Sequence, residues 1–244
     1  GIARIVLARE LTLDEIREIR DRSEAELEVF VHGAMCISYS GRCLLSSYMT
    51  GRHANLGDCA QACRWRYALV EETRPGQFFP VEEDSRGTYI LSSRDLCMIE
   101  HILDLISLGV RAFKIEGRMK SVNYVATTTR VCREAIDSYL ADPAGWKFRP
   151  EWMEELHKAS HREFTTGFYF GNPREVGQVY DSPGYRRAYE FVGVVREYRP
   201  PDLTDSLPES GGLAVVEQRG KIRLGDGVEI LGPGTPPFRQ RVGG

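Results

Sequence analysis

The sequence predicts an α/β fold that begins with a parallel sheet and ends with a small antiparallel β-domain. Apolar runs alternate with helical patterns through the first 141 residues, as they do where crossover helices join parallel strands. Several of these strands run into polar or glycine-containing segments, which is where ligand sites of such sheets lie. From residue 189 onward the strands are short and closely spaced, which is typical of an antiparallel domain.

The first helix has a clear local signal. Residues 4–8 form a short apolar run that predicts the first strand. Thr12 and Glu15 then form a capping box, so a helix is expected over residues 13–22. A second strand is predicted at residues 27–31, and its largely apolar character is typical of a parallel strand that is buried on both faces.

A cysteine-rich loop, residues 34–66, separates this unit from the next ones. The later elements are expected to be a strand at residues 88–91, a helix at 96–107 that begins at a cap formed by Asp95, a strand at 111–115, and helices at 122–141 and 151–160. Four strands are too few for a (β/α)8 TIM-like barrel. Residues 1–175 are therefore interpreted as the C-terminal half of such a barrel, with the N-terminal half missing.

The last part of the chain is assigned to a second domain, residues 188–244. Strands are expected at residues 190–195 and 213–217, and a strand, a turn and another strand at 221–230. Short strands at this spacing suggest a small antiparallel β-barrel.

The composition restricts the classes of partner. The net charge is −3, so any nucleic-acid binding has to use local basic patches. The sequence has no run of about 18 apolar residues, which argues against a membrane partner. Six cysteines without a recognisable signal peptide point to a reducing compartment, so a cytoplasmic protein is expected. Because the chain starts directly in a strand, we expect it to be a fragment of a longer protein.

The cysteine spacing predicts a metal site. Cys36, Cys43, Cys59 and Cys63 follow the pattern C-x6-C-x15-C-x3-C. Structural zinc sites usually use paired C-x2-C motifs, which this sequence lacks, whereas an iron–sulfur cluster accepts looser spacing because its irons spread the ligands. Cys97 is expected on the same face, and Cys132 is expected to pack as a small apolar side chain.

Two motifs resemble a known family. EVFVHGAMC at residues 28–36, followed by GRCLLS at 41–46, is similar to the signature of the peptidase U32 family, historically called collagenase-like peptidases. Residues 93–97 and 113–120 and the segment from His161 to Tyr169 also resemble this family. The resemblance covers residues 1–188, and the small β-domain after it is typical of one branch.

The resemblance implies an iron–sulfur enzyme. Members of the family are oxygen-independent hydroxylases that act on the tRNA wobble uridine, on ribosomal RNA cytidine or on ubiquinone precursors, and several use prephenate as the hydroxyl source. The branch with this β-domain implies a TIM-like barrel with a 4Fe-4S cluster and the tRNA anticodon loop as partner. The cluster ligands carried over are Cys36, Cys43, Cys59 and Cys97, with Cys63 as the alternative to Cys59 or Cys97.

Three further residues at predicted strand ends are candidate catalytic residues. His32 is interpreted either as a proton donor or substrate contact, or as a structural hydrogen-bonding group under the cysteine loop. Glu116 and Arg118 lie at the next strand end, where Arg118 is expected to bind a carboxylate of prephenate through two hydrogen bonds. The alternative for these two residues is a mutual ion pair.

Four basic or aromatic residues are candidate substrate-binding groups: Arg94, Lys114, His161 and Arg162. Lys114 alternates with apolar neighbours, so its side chain is expected to point into the barrel. His161 and Arg162 precede an aromatic segment and are expected to contact RNA bases and phosphate. The alternative for that segment is an aromatic plug between the domains.

Two other functions compete with hydroxylation. A peptidase would follow the family's historical name, but the sequence contains neither G-x-S-x-G nor H-E-x-x-H. Cys36 with His32 is the single spacing that suggests a thiol protease. The third alternative is a zinc-stabilised binding module without catalysis.

Overall fold

A computed structural model describes residues 1–36, 38–65, 67–69, 79–80, 93–172, 186, 188–200 and 212–243. The chain divides into two compact units, Gly1–Ala188 and Tyr189–Gly244. The predicted strand at residues 88–91 lies outside the described residues. Within them, none of the helices combines the length and apolar character needed to cross a bilayer.

The first unit contains seven described strands and five described α-helices. The strands are β1 (Arg4–Val6), β2 (Glu26–Ala34), β3 (Ala68–Leu69), β4 (Phe79–Pro80), β5 (Asp95–Cys97), β6 (Ala112–Glu116) and β7 (Phe164–Thr165). The helices are α1 (Leu13–Arg22), α2 (Leu45–Thr50), α3 (Ile102–Ser107), α4 (Val122–Ala141) and α5 (Pro150–Lys158). The expected capping box is confirmed, because Thr12 Oγ1 accepts the Glu15 N–H and the Glu15 carboxylate accepts the Thr12 N–H.

Strand β2 is the centre of a mixed five-stranded sheet. It runs parallel to β1 and to β6. Its last residues pair antiparallel with β5, and β5 pairs parallel with β7. Strands β3 and β4 form a separate antiparallel pair. The fold is therefore α/β with parallel pairings, but the described residues form an open sheet and no closed barrel.

The segment around Asp95 differs from the expectation. The predicted helix over residues 96–107 is replaced by strand β5, a short 3₁₀ turn at Ile99–His101 and helix α3. Asp95, Leu96 and Cys97 are all buried, and their backbone pairs with the end of β2. Asp95 therefore does not cap a helix, because its carboxylate is used by side chains from other segments.

The first part of strand β2 is fully buried on one face and partly buried on the other, and its last four residues are all buried. Leu27, Val29 and Val31 belong to the core, together with apolar residues of α1, α3, α4 and α5. Glu28 and Phe30, on the other face, are only partly buried. In the described chain, the core packs on one face of the strand and leaves charged residues on the other.

The second unit consists of two antiparallel pairs. Strand β8 (Gly193–Arg199) pairs with β9 (Leu213–Gln218), and β10 (Gly227–Ile230) pairs with β11 (Phe238–Arg241). Of the strand, turn and strand expected at residues 221–230, the turn at residues 224–225 and strand β10 form, and the first strand does not. A closed barrel is not formed by the described residues of this unit.

Gly33 sets the distance between the ends of β2 and β6. Its φ angle is +117°, and a Cβ atom there would lie 2.2 Å from the Glu116 carbonyl oxygen. Gly33→Ala should therefore lower the free energy of unfolding by more than about 3 kcal/mol, measured by urea denaturation. Gly51→Ala is the matched control, because Gly51 also has a positive φ but open space around it, and should cost about 1 kcal/mol. Equal losses in the two variants would contradict the close approach.

Candidate functional site

The loop between β2 and β3, residues 35–67, carries four cysteines and is held by its own polar contacts. Asn55 Oδ1 accepts the Cys43 N–H at 3.2 Å, and Asn55 Nδ2 donates to the Cys43 carbonyl at 3.1 Å. Ser46 Oγ accepts the Ala60 N–H at 3.0 Å. These bonds fold the polar loop around the cysteines without help from a large apolar core.

Backbone N–H groups point at two of the sulfurs. The Ser38 N–H donates to Cys36 Sγ at 3.4 Å, and the Gln61 N–H donates to Cys59 Sγ at 3.2 Å. Gln61 has a φ of +53°, a conformation that non-glycine residues adopt at a cost and that is found at functional sites. The same kind of N–H donation tunes the sulfur ligands of metal centres.

The four thiols of the cysteine loop affect one another's charge. Burial raises the pKa of the Cys36 thiol, and Cys43 and Cys59 raise it further, while Arg9 lowers it. Burial also raises the pKa of the Cys63 thiol; Arg64 opposes this, and the other three loop cysteines add to it. Cys36, Cys43, Cys59 and Cys63 therefore form one group, which we call the loop thiols.

Cys97, an expected cluster ligand, lies elsewhere. It is buried in β5 as the register partner of His32. Burial raises the pKa of the Cys97 thiol to about 12, and Cys132 and Glu100 also act on it. The structure thus places Cys97 beside Cys132 in the core and brings Cys63 to the loop thiols, because residue 97 belongs to a buried strand rather than to a helix start at the edge of the sheet.

The donor set fits a cluster better than a single ion. All six cysteines are free. Among the described residues, no group of three or more Cys, His, Asp or Glu side chains is close enough to hold one metal ion. A zinc ion needs its sulfurs within about 2.3 Å of itself, whereas an iron–sulfur cluster is larger and spreads its thiolates. The four loop thiols, two of which accept backbone N–H groups, are therefore the candidate ligands for a cluster.

The Asp95 carboxylate connects the loop to the sheet. Oδ1 accepts Arg64 Nη1 at 2.6 Å, while Oδ2 accepts the Arg162 N–H at 3.2 Å and lies 3.4 Å from Lys120 Nζ. Arg64 Nη2 also donates to the Met35 carbonyl at 3.0 Å. Burial acts to raise the pKa of Asp95, but Arg64 and Lys120 outweigh it and hold that pKa below its usual range.

His32 is buried under the end of the sheet. Its ring lies against Phe164 and Tyr124, with centroids 5.3 and 5.8 Å away. Burial lowers the pKa of His32 to about 3, so the imidazole is neutral at neutral pH. Among the described residues neither ring nitrogen has a hydrogen-bond partner, so the structural hydrogen bond that was the alternative for His32 is not found.

Glu116 and Arg118 do not pair with each other. Glu116 Oε1 accepts the Arg118 N–H at 3.0 Å, and Glu116 Oε2 is 3.8 Å from Arg9 Nη2. The Arg118 side chain instead reaches Asp58 in the cysteine loop, at 3.4 Å. Arg9 was not predicted from the sequence to be a site residue. The feature that could have indicated it is its position, as a charged residue directly after the first strand.

The expected substrate-binding residues separate into two groups. Lys114 lies on the open face of the sheet, 3.5 Å from Glu28 and 5.4 Å from the centre of the Phe30 ring. Arg94 pairs with Glu163 at 3.0 Å.

His161 and Arg162 are buried and so do not present a surface to RNA in the first unit. The His161 ring stacks on Phe164 with 4.5 Å between centroids, and its Nδ1 lies 2.7 Å from the Ala159 carbonyl oxygen. Arg162 Nη1 donates to the Ser93 carbonyl at 3.5 Å. Both residues therefore have packing contacts inside the first unit.

The outer surface of the cysteine loop is apolar and aromatic. Tyr48 is 87% exposed and Tyr39 is 73% exposed. The other large exposed side chains of this surface are Leu44, Met49, Leu56 and Trp65. Arg42 is exposed and Arg52 pairs with Asp58, so basic groups lie among the aromatic ones.

Replacing Asp95 should destabilise the first unit strongly. Asp95→Asn leaves Arg64 and Lys120 buried without their counter-charge, so the free energy of unfolding should fall by about 3–5 kcal/mol in urea denaturation. The control is Asp14→Asn, which removes an exposed ion pair with Arg17 and should change stability by less than about 0.5 kcal/mol.

The same variant tests the sign of the pH dependence. Because the pKa of Asp95 is lowered in the folded state, its stabilisation is complete above the unfolded pKa of about 3.9 and is lost as the pH falls through the lower folded value. The Asn variant should lack this acid-induced loss. An unchanged acid transition, or a variant as stable as the wild type, would contradict the role given to Asp95.

Comparisons with known proteins identify the family. Residues 1–178 match the model described as Peptidase family U32, and residues 187–244 match the Peptidase family U32 C-terminal domain. A comparison with solved structures found no match.

Three curated relatives match nearly the whole chain; two are named for tRNA hydroxylation and one is named a protease. The chain is 40% identical over 242 residues to tRNA hydroxylation protein P1 of Bacillus subtilis, covering 99% of the chain and 55% of that protein. It is 36% identical over 275 residues to tRNA hydroxylation protein P of Escherichia coli, with 96% and 58% covered. It is 42% identical over 239 residues to an uncharacterized protease of Methanocaldococcus jannaschii, with 95% and 56% covered.

The chain spans little more than half the length of these relatives. The match nevertheless extends through both of its units, and both family models are found in the same order along the sequence. The chain therefore belongs to the peptidase U32 family.

Proposed function

We propose that this chain is part of a cytoplasmic RNA-modifying hydroxylase that depends on a 4Fe-4S cluster and acts on the wobble uridine in the tRNA anticodon loop, with prephenate as the hydroxyl source. The observation that carries the proposal is a loop with four neighbouring free thiols and an exposed aromatic and basic outer surface. The names of the Bacillus subtilis and Escherichia coli relatives, which refer to tRNA hydroxylation, support it.

The loop thiols Cys36, Cys43, Cys59 and Cys63 would hold the cluster. When bound, an iron–sulfur cluster supplies electron transfer at a potential set by its surroundings. The N–H groups of Ser38 and Gln61 donate to two of these sulfurs and would adjust that potential. Arg64 keeps the Cys63 end of the loop against the sheet through Asp95 and the Met35 carbonyl.

The outer surface of the loop suits single-stranded RNA. Unstacked bases bind proteins by stacking on aromatic rings, and basic side chains neutralise the phosphates. Tyr39 and Tyr48 present such rings, and the exposed Arg42 supplies positive charge on a chain whose net charge is −3. A wobble base lies in a single-stranded loop, so it costs little to bring it out of its stack.

A partial barrel is the fold we propose for the first unit. The parallel pairings of β1, β2 and β6, with the core helices against one face, are those expected of part of a (β/α)8 barrel. The face with Phe30, Lys114 and Glu116 would then line the interior, where Lys114, Glu116 and Arg118 would orient the small co-substrate. The second unit, by the same reasoning, would complete a small antiparallel barrel.

A peptidase is the second candidate, because the Methanocaldococcus jannaschii relative is named a protease. A thiol peptidase needs a histidine within hydrogen-bond reach of its cysteine. In the described residues, the buried His32 makes no hydrogen bond to Cys36 or to any other group. This geometry favours the hydroxylase over the peptidase.

Iron content separates the candidate ligand sets. The full-length protein, purified without oxygen, should contain iron and absorb visible light. Cys63→Ala should lose most of the iron and of the visible absorption, whereas Cys97→Ala and the control Cys132→Ala should keep them, because those two thiols lie in the core.

In a deletion strain, mass spectrometry of tRNA should show that the wild-type gene, but not the Cys63→Ala gene, restores the hydroxylated wobble uridine. A colourless wild-type protein that binds zinc would rule out the cluster.

Tyr48 tests the RNA surface. Tyr48→Ala should weaken binding of an anticodon stem-loop RNA by about 5- to 100-fold, the loss of one stacked base. Tyr48→Phe is the matched control and should bind normally, because it keeps the aromatic face. If the two variants bind the RNA equally well in a filter-binding assay, this surface does not stack a base.

A further inference from the structure

Arg9 is a charged side chain with few partners beside the cysteine loop. It follows β1, at the carboxyl end of that strand, and its guanidinium carbon lies 3.8 Å from the centre of the Phe30 ring. Its acidic neighbour Glu116 is 3.8 Å away, which is an ion-pair distance but longer than a hydrogen bond. Within the described residues, the Arg9 guanidinium makes no hydrogen bond.

The lack of hydrogen bonds is unusual because the Arg9 side chain is largely buried. The side chain is only 17% exposed. Burial lowers the pKa of Arg9, although Glu116 and Cys36 act in the opposite direction. A guanidinium has several N–H donors, and a buried charge is costly when those donors are not used. Arg9 is not among the residues with fully buried and unsatisfied nitrogens, so its donors keep some accessible surface.

Each of the two nearby carboxylates accepts a backbone N–H, and neither accepts a hydrogen bond from Arg9, although Glu116 Oε2 lies at ion-pair distance from it. Glu116 Oε1 accepts the Arg118 N–H at 3.0 Å. Glu10 Oε1 accepts the Ser40 N–H of the cysteine loop at 2.7 Å. Both are thereby held in place, and the N–H edge of Arg9 is left for an external acceptor.

We propose that Arg9, held beside Phe30 and Glu116, binds a carboxylate of the small-molecule co-substrate. The inference rests on the proposed function and deepens it by naming the residue that recognises the anion. The planar guanidinium matches a carboxylate through two parallel hydrogen bonds. Phe30 fixes the plane of the guanidinium from one side.

A small carboxylate fits this position better than an RNA phosphate. Arg9 is recessed at the end of a strand, whereas the basic and aromatic groups suited to RNA lie on the outer surface of the loop. Arg118, which we propose orients the same co-substrate, is more exposed than Arg9, with 45% of its side chain accessible, and pairs with Asp58.

The test is the affinity of the anaerobically purified full-length protein for prephenate, measured by isothermal titration calorimetry. Arg9→Gln should raise the Kd by about 10- to 100-fold, the loss of charge-assisted hydrogen bonds. Arg9→Lys should show a smaller increase, because it keeps the charge and loses the paired donors. Arg17→Gln, on the exposed side of α1, is the matched control and should bind as the wild type does.

Three outcomes would overturn the inference. The first is equal prephenate affinity in the wild type and Arg9→Gln, including the case in which neither binds. The second is a loss of anticodon stem-loop binding with prephenate affinity retained, which would make Arg9 a phosphate contact. The third is a loss of iron and visible absorption in Arg9→Gln, which would make Arg9 a support of the cysteine loop.

These outcomes are distinct from failure of the proposed function, which is decided by the iron content of the wild type and by the tRNA wobble uridine. Thermal unfolding of each variant reports whether it folds. If Arg9→Gln does not fold, Arg9→Lys decides, because it preserves both the charge and an aliphatic contact with Phe30; normal prephenate affinity in that variant then overturns the inference.

Discussion

The buried carboxylate of Asp95 is the interaction on which the site depends. It accepts hydrogen bonds from the side chains of Arg64 in the cysteine loop and Lys120 in the turn after β6, and from the backbone N–H of Arg162 before β7. No water-exposed surface solvates this charge, because Asp95 is fully buried. The segments that supply its partners are therefore required for folding as well as for the geometry of the loop.

This interaction also fixes which cysteines meet. Asp95 stays at the end of the sheet because β5 pairs with the last residues of β2. In that strand Cys97 is buried next to Cys132, while Arg64 draws Cys63 and its neighbours towards Met35 and Cys36.

The first unit divides its polar groups between the interior and the open end of the sheet. His32, His161 and Arg162 are buried among aromatic rings or backbone carbonyls. Arg9, Lys114, Glu116 and Arg118 lie at the carboxyl ends or on the partly exposed face of β1, β2 and β6. Groups available to a substrate are therefore those at the strand ends, as in other sheets with parallel pairings.

The sequence alone determined the features that depend on near neighbours. The capping box at Thr12, the limits of α4 at Val122–Ala141 and the clustering of cysteines in one polar loop are all local, so composition and spacing predict them. Only the tertiary structure decided that residues 95–97 form a strand, that Cys63 rather than Cys97 joins the loop thiols, and that Arg9 lies beside Cys36. These facts depend on pairings between residues about 30 or more positions apart, such as Arg64 with Asp95. The free energy of such a pairing is set by burial and by the opposite charge. Such pairings leave no periodic pattern in the sequence, so the sequence does not predict them.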